Sequence, residues 1–161
     1  MTAWVALTPS STQNGCMRVI PGTQKEQVPH EDTFAATNLL SRGQEIAVEV
    51  DLSRATDVVL QPGQMSLHHV LIVHGSEPNT SEIRRVGFAI RYVPTHVSQK
   101  SGIRESALLV RGRDEFGNFD HERSPQSEMH PEAVAHHREV IDRQMQILYA
   151  GAKEKGKREP A

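Results

Sequence analysis

The chain is poor in the residues that mark several common classes of protein. Its 161 residues include one cysteine, Cys16. An internal disulfide and a thiolate metal cluster are therefore excluded, and a reducing compartment, the cytoplasm, is the expected setting. Neither sign of charge dominates: 18 Lys and Arg stand against 20 Asp and Glu, for a net charge of −2, and the two signs are interspersed. Nucleic acid and anionic membrane are not expected as main partners. No apolar run approaches the roughly 20 residues of a membrane span, and the first residues carry no basic-then-apolar signal pattern. Tryptophan occurs once, as Trp4, in an apolar run that begins immediately after Met1 and Thr2. Histidine, by contrast, is plentiful: nine residues at this length raise the expectation of a metal without locating it.

The length fits one domain with a core of its own. The first half reads as short strands broken by turn residues. Strand-like runs are Thr2 to Leu7, Met17 to Ile20 after the turn pair Asn14-Gly15, the alternating stretch Glu45 to Asp51, Asp57 to Leu60, Met65 to Val73, and Val86 to Val93. Residues 23–44 read as loop, with a short helical turn at Leu39-Leu40. From Pro94 to Met129 the chain is polar and without period. Long irregular segments in compact domains are often functional, so a lid or substrate loop is expected there; Ala107 to Val110 is too short to assign. Pro131 suits a first helical turn, and Val134, Ile141, Met145 and Leu148 recur at helical spacing before Gly151. The opposite face carries Glu132, His136, Arg138, Asp142 and Arg143. A tail over 152–161 is expected to be disordered. The pattern predicts a mainly β protein with a C-terminal helix, divided as 1–100, 101–130, 131–151 and 152–161.

The chemistry concentrates in His74-Gly75-Ser76, at the end of one strand-like run, with Arg85 eleven residues on in the next. Non-haem iron(II) sites use two imidazoles and a carboxylate on one face of the metal and leave the other positions open. A 2-oxo acid and O2 fill those positions, and the far carboxylate of the acid needs a fixed cation, for which the planar fork of Arg is suited. His74 and Arg85 fit these roles if their strands are consecutive and antiparallel, with Ser76 adding a hydroxyl. By composition alone, the plainer reading is a His at a Gly-Ser turn and a solvated Arg. Either His68 or His69 is expected to face the metal cavity. Arg91 shares strand parity with Arg85 and is expected on the same face, paired with a carboxylate. Cys16 reads as a small buried residue, His136-His137 as solvated, and the acids from Asp114 to Asp120 as lacking calcium-loop spacing.

Several short motifs occur in one order: Ala3-Trp4-x-Ala6-Leu7, Asn14-Gly15-Cys16, Ile20-Pro21-Gly22-Thr23, Gly63-Gln64-x-Ser66-x-His68-His69, His74-Gly75-Ser76-x-x-Asn79 and Arg84-Arg85-x-Gly87-x-x-x-Arg91-Tyr92. Over residues 2–100 the chain resembles the phytanoyl-CoA dioxygenase family. The resemblance implies a double-stranded β-helix (jelly-roll) and hydroxylation of a small or carrier-linked substrate, driven by Fe(II), 2-oxoglutarate and O2. It also implies roles by position: His74 as the distal iron ligand, Arg85 as the 2-oxoglutarate clamp, Ser76 beside that clamp, and Trp4 in the co-substrate pocket. In that family the paired His-x-Asp ligands lie upstream of the Ala-Trp-x-Ala-Leu strand. Here only Met1 and Thr2 precede it, so two ligands and the first barrel strands are expected to be missing, and the position that separates hydroxylases from halogenases is missing with them.

His30-Glu31-Asp32 also reads as His-x-Asp, but about four jelly-roll strands must separate such a pair from the distal His. Three runs at most lie between Asp32 and His74, one of them containing His74, so a loop His beside a turn-forming Asp is the expectation. Two alternatives to the oxygenase follow. One is an inactive remnant with His74 as a single weak ligand, self-associating through exposed sheet edges. The other is a cupin-like metal site built from His30, Asp32 and His74 without 2-oxoglutarate.

Overall fold

The structure, a computed structural model, describes residues 1–152 apart from Ala36, Thr37 and Leu39. Leu39 of the expected helical turn and nearly all of the expected disordered tail lie outside the described residues. Among those residues ten short strands precede one helix. They are β1 (Thr2–Ala6), β2 (Met17–Val19), β3 (His30–Asp32), β4 (Gln44–Ile46), β5 (Thr56–Asp57), β6 (Met65–His68), β7 (His74–Ser76), β8 (Gly87–Arg91), β9 (Ser106–Ala107), β10 (Asp120–His121) and α1 (Pro131–Leu148). The chain divides into two compact units: Met1–Glu31 with Glu45–Tyr92, and Asp32–Gln44 with Val93–Ala161. The mainly β architecture with a C-terminal helix matches the sequence pattern, and the strands do not close into a barrel.

The first unit holds two three-stranded antiparallel sheets, ordered β6-β1-β8 and β5-β2-β7. In the first sheet, register sorts side chains by face, because residues directly opposite point the same way. Trp4 stands between Ser66 and Ala89, and Thr2 between His68 and Arg91. On the reverse face Val5 lies between Met65 and Phe88, and Ala3 between Leu67 and Ile90. The second sheet is built on β2, whose preceding turn is closed by Asn14: its Oδ1 accepts from Ser11 N (2.8 Å) and its Nδ2 donates to Pro9 O (2.8 Å). Gly15 completes that turn at φ 74°, and a Cβ there would lie 2.4 Å from Glu77 O. Ala3, Ala6, Cys16, Met17, Ile20 and Val73 form the buried core.

Two sequence expectations change here. The run Met65 to Val73 is not one strand: it leaves β6 at His68, turns through residues 69–73, and restarts as β7 in the other sheet. His74 therefore opens a strand and does not end one. The alternating run Glu45 to Asp51 is a strand only to Ile46, since Ala47 and Val48 form a bend. Alternation favours a half-buried strand, but among the described residues β4 belongs to a two-stranded sheet with the short β3.

In the second unit, β9 and β10 pair in parallel within the stretch read as irregular. Asp120 lies between Arg104 Nε (2.6 Å) and Arg143 Nη1 (2.7 Å), while His136 Nε2 meets Glu122 Oε2 at 3.0 Å. Arg42 donates to Leu148 O (2.7 Å) and pairs with Asp32. The packed side of α1 matches the predicted one only in part: of its four apolar positions, Val134 and Leu148 are half-buried. His136, Val140, Arg143 and Ile147 are half-buried, whereas Ile141 and Met145 are exposed. The contacts of His136 and Arg143 lie on the same side of the helix as Val140 and Ile147.

Candidate active site

The strand bearing His74 is pinned residue by residue. β7 pairs with β2 as Val19↔His74, Arg18↔Gly75 and Met17↔Ser76. Just before it, Ile20 N donates to Val73 O (2.9 Å), and Val73 N donates to the Thr23 hydroxyl (2.9 Å), which itself donates to Ile20 O (2.7 Å). Thr23 thus sets the entry to β7 from fifty residues away. The His74 ring Nδ1 lies 2.8 Å from Ile72 O. A carbonyl can only accept, so Nδ1 carries a hydrogen, and in the neutral ring this leaves the Nε2 lone pair for a metal.

Of the neighbouring histidines, His68 faces His74. Their ring centroids are 6.0 Å apart with 44° between planes, and His68 Nδ1 lies 3.3 Å from Ser66 Oγ. Burial, with smaller contributions from His74 and the N-terminus, lowers the pKa of His68 and favours its neutral form. His69 is spent elsewhere: its Nδ1 accepts from Leu71 N (3.2 Å) inside the turn between the two sheets.

Arg85 reaches the same place from a different element. It lies in the segment before β8, not in a strand, so the expected consecutive antiparallel pairing with the His74 strand and the parity with Arg91 do not hold. No ion pair to Arg91 is present among the described residues. The Arg85 segment is held by Thr8, whose hydroxyl donates to Arg84 O (2.9 Å) and accepts from Val86 N (2.9 Å). Upstream, Asn79 closes the loop by accepting from Ser81 N (2.8 Å) and donating to Ile83 O (2.9 Å). So anchored, the guanidinium donates to Ser76 Oγ at 3.4 Å and sits with Cζ 5.5 Å from the Trp4 ring centroid, within range of a cation–π contact. The indole has room because residue 87 is glycine, where a Cβ would come within 2.1 Å of the ring. Thr23 and Gly87 are positioning residues that the motifs contained without revealing, and Thr8 is another that lies just outside them.

The sequence candidates therefore sort cleanly. Trp4, Ser76 and Arg85 form one contact cluster, and His74 with His68 forms another on the same unit. Cys16 is buried, as expected, and its thiol is pushed up by burial and then by Asp57, against Arg85 and Arg18. The His30-Glu31-Asp32 segment is a strand, not a loop, and Asp32 is committed to Arg42 while His30 is exposed. Among the described residues no three His, Cys, Asp or Glu side chains come together to hold a metal. His136 is not simply solvated but paired with Glu122. Asp114 caps a turn by accepting from Phe116 N and Gly117 N, each at 3.0 Å.

The profile of the phytanoyl-CoA dioxygenase (PhyH) family matches residues 1–87, the part that builds this cluster. The chain belongs to the phytanoyl-CoA dioxygenase family. A phytanoyl-CoA dioxygenase domain-containing protein 1 homolog from Caenorhabditis elegans is 34% identical over 92 residues, covering 54% of this chain and 32% of that protein. Among solved structures, the apo form of the non-heme monooxygenase ThoJ is 37% identical, with a TM-score of 0.79 over 95% of this chain and 55% of its own. The Ni complex of ThoJ is 32% identical, with a TM-score of 0.71 over 92% and 51%. This PhyH member has the double-stranded β-helix of those oxygenases with its barrel not closed. It spans about a third of the length of the curated relatives and about half that of the solved ones.

Proposed function

We propose that this PhyH member is the part of an Fe(II)- and 2-oxoglutarate-dependent dioxygenase that carries the distal metal ligand and the co-substrate clamp. The proposed substrate is a small or carrier-linked molecule. The observation that supports the reading best is that Arg85, resting on Trp4, meets Ser76 two residues along β7 from His74. Fe(II) with 2-oxoglutarate and O2 supplies oxidative hydroxylation, the co-substrate leaving as succinate and CO2. The chain's own residues do the rest. His74 offers Nε2 to the ion because Ile72 O occupies Nδ1. Arg85 receives the far carboxylate of the co-substrate in a charge-assisted pair, and Ser76 adds a hydroxyl at its edge. Trp4 holds the guanidinium flat and excludes water from one side of it.

The test is anaerobic titration with Fe(II) and 2-oxoglutarate, following the weak visible charge-transfer band of the chelate, together with calorimetry of 2-oxoglutarate alone. Arg85→Ala is expected to weaken 2-oxoglutarate at least tenfold, as removal of a charged hydrogen-bond partner does, roughly 1.5–3 kcal/mol; Arg85→Lys should recover only part. Equal affinity in Arg85→Ala would sink the clamp assignment. A second reading, a binding module without turnover, is favoured by one observation: no three metal-capable side chains converge among the described residues. It predicts 2-oxoglutarate binding without the band.

A further inference from the structure

We propose that the second unit carries an oxyanion site that takes the phosphate group of a small phosphomonoester. The inference does not rest on the reading of His74. The site is a cavity of about 340 Å³ formed by the end of β10, the loop after it and the first turns of α1. His121, Arg123, Ser124, His130 and His136 line it, and Glu132 is the acid among the lining residues. Three imidazoles, a guanidinium and a hydroxyl thus border one space.

Two of the imidazoles are fixed from behind by acids. His121 Nε2 lies 3.0 Å from Asp114 Oδ2, and His136 Nε2 lies 3.0 Å from Glu122 Oε2. The bond from His121, then those from the Gly117 and Phe116 amides, hold the Asp114 carboxyl below the usual carboxylate range. An ionised carboxylate only accepts, so each ring donates Nε2–H and keeps Nδ1 for a ligand. In the imidazolium both nitrogens donate, one to the acid and one to an anion. Arg123 enters none of the ion pairs found among the described residues, and its planar fork suits the oxygens of phosphate. A metal ion would need donors gathered at about 2 Å, and no three metal-capable side chains come together among the described residues. Donors spread around a cavity suit a tetrahedral oxyanion, whose oxygens point in several directions; a planar carboxylate would engage fewer of them. The volume falls at the small end of ligand cavities, roughly 300–1,000 Å³, and leaves room for the esterified group.

The experiment is titration of the full 161-residue chain with inorganic phosphate and with glycerol 3-phosphate, at fixed pH and ionic strength. The readout is the ring C–H proton resonances of the histidines, assigned through His→Gln variants, with acetate as the control anion. The expected result is that the His121, His130 and His136 signals shift along one saturating curve, while His137, which does not line the cavity, stays in place. Glycerol 3-phosphate should bind at least as tightly as phosphate, and acetate at least tenfold more weakly. Arg123→Gln should weaken phosphate about tenfold, and Glu132→Gln should tighten it about threefold. Both side chains are exposed, and an unchanged melting curve in each variant shows that the fold is intact. Midpoints that stay the same in both variants, or an equal response to acetate, overturn the proposal. Binding of inorganic phosphate with no binding of glycerol 3-phosphate overturns the phosphomonoester assignment.

Discussion

At the scale of single residues, Gly87 carries as much of the site as the residues that touch a ligand. A methyl group there would overlap the Trp4 indole at 2.1 Å, and the indole is the surface against which Arg85 rests. Gly87→Ala is expected to turn the ring out, shifting the emission of this single tryptophan and costing about 1–3 kcal/mol of stability, as overpacking does. An unchanged spectrum and melting curve would show that the ring has room after all. The reactive groups were readable from the motifs, because His, Arg, Ser and Trp advertise their chemistry. Thr8, Thr23 and Gly87 were not. Each acts on a partner far along the chain, Thr23 on Val73 and Thr8 on Arg84 and Val86, and such pairings exist only once register is set.

Elements were legible where one local signal acted alone and misread where two competed. β1 and β2 follow their apolar runs and the Asn14-Gly15 turn closely. The run Met65 to Val73 looked continuous because turns made of apolar residues leave no mark in composition; His69, accepting from Leu71 N, supplies the break. The helix was found, but of the four apolar positions that assigned its packed face Val134 and Leu148 are half-buried while Ile141 and Met145 are exposed. Arg143 bridges Asp120 Oδ2 and Arg104 O, and these arginines hold the Asp120 carboxyl below the usual 3.8. A depressed carboxylate stabilises the fold fully above its unfolded value and loses that contribution as pH falls through the folded one. The α1 contact should therefore loosen only in acid, below about pH 4. With Asp120 partly exposed, the effect is no more than about 1 kcal/mol. Carbon-detected NMR titration of Asp120 should show a midpoint below 3.8 that climbs toward it in Arg143→Ala; an identical midpoint in the variant would assign the shift to something else.

On the scale of the whole molecule, the sheet β6-β1-β8 has two unlike faces. One bears Trp4, His68 and Arg91; the reverse bears Met65, Leu67 and Phe88, exposed by 56%, 62% and 59%. Contiguous exposed apolar surface of this kind drives association, and among the described residues β6 and β8 are the edge strands of the sheet. Replacing Leu67 and Phe88 together by lysine should lower self-association in sedimentation without lowering the melting temperature; a species distribution unaffected by the double change would clear this face of any part in it. The apolar run Thr2 to Leu7 made β1 legible in the sequence. Which strands lie beside it was not, because pairings of such range carry no local signal. One consequence concerns His74 and Arg85. His74 and Ser76 ride on the sheet built around β2, whereas Trp4 and His68 belong to the sheet built around β1, and Arg85 spans the two. On the function proposed above, a co-substrate held at one end by the ion on His74 and at the other by the guanidinium would act as a rivet through a seam. Its arrival would be felt as a stiffening of β7 and β8 in unison, so that occupancy is written into how the two sheets breathe.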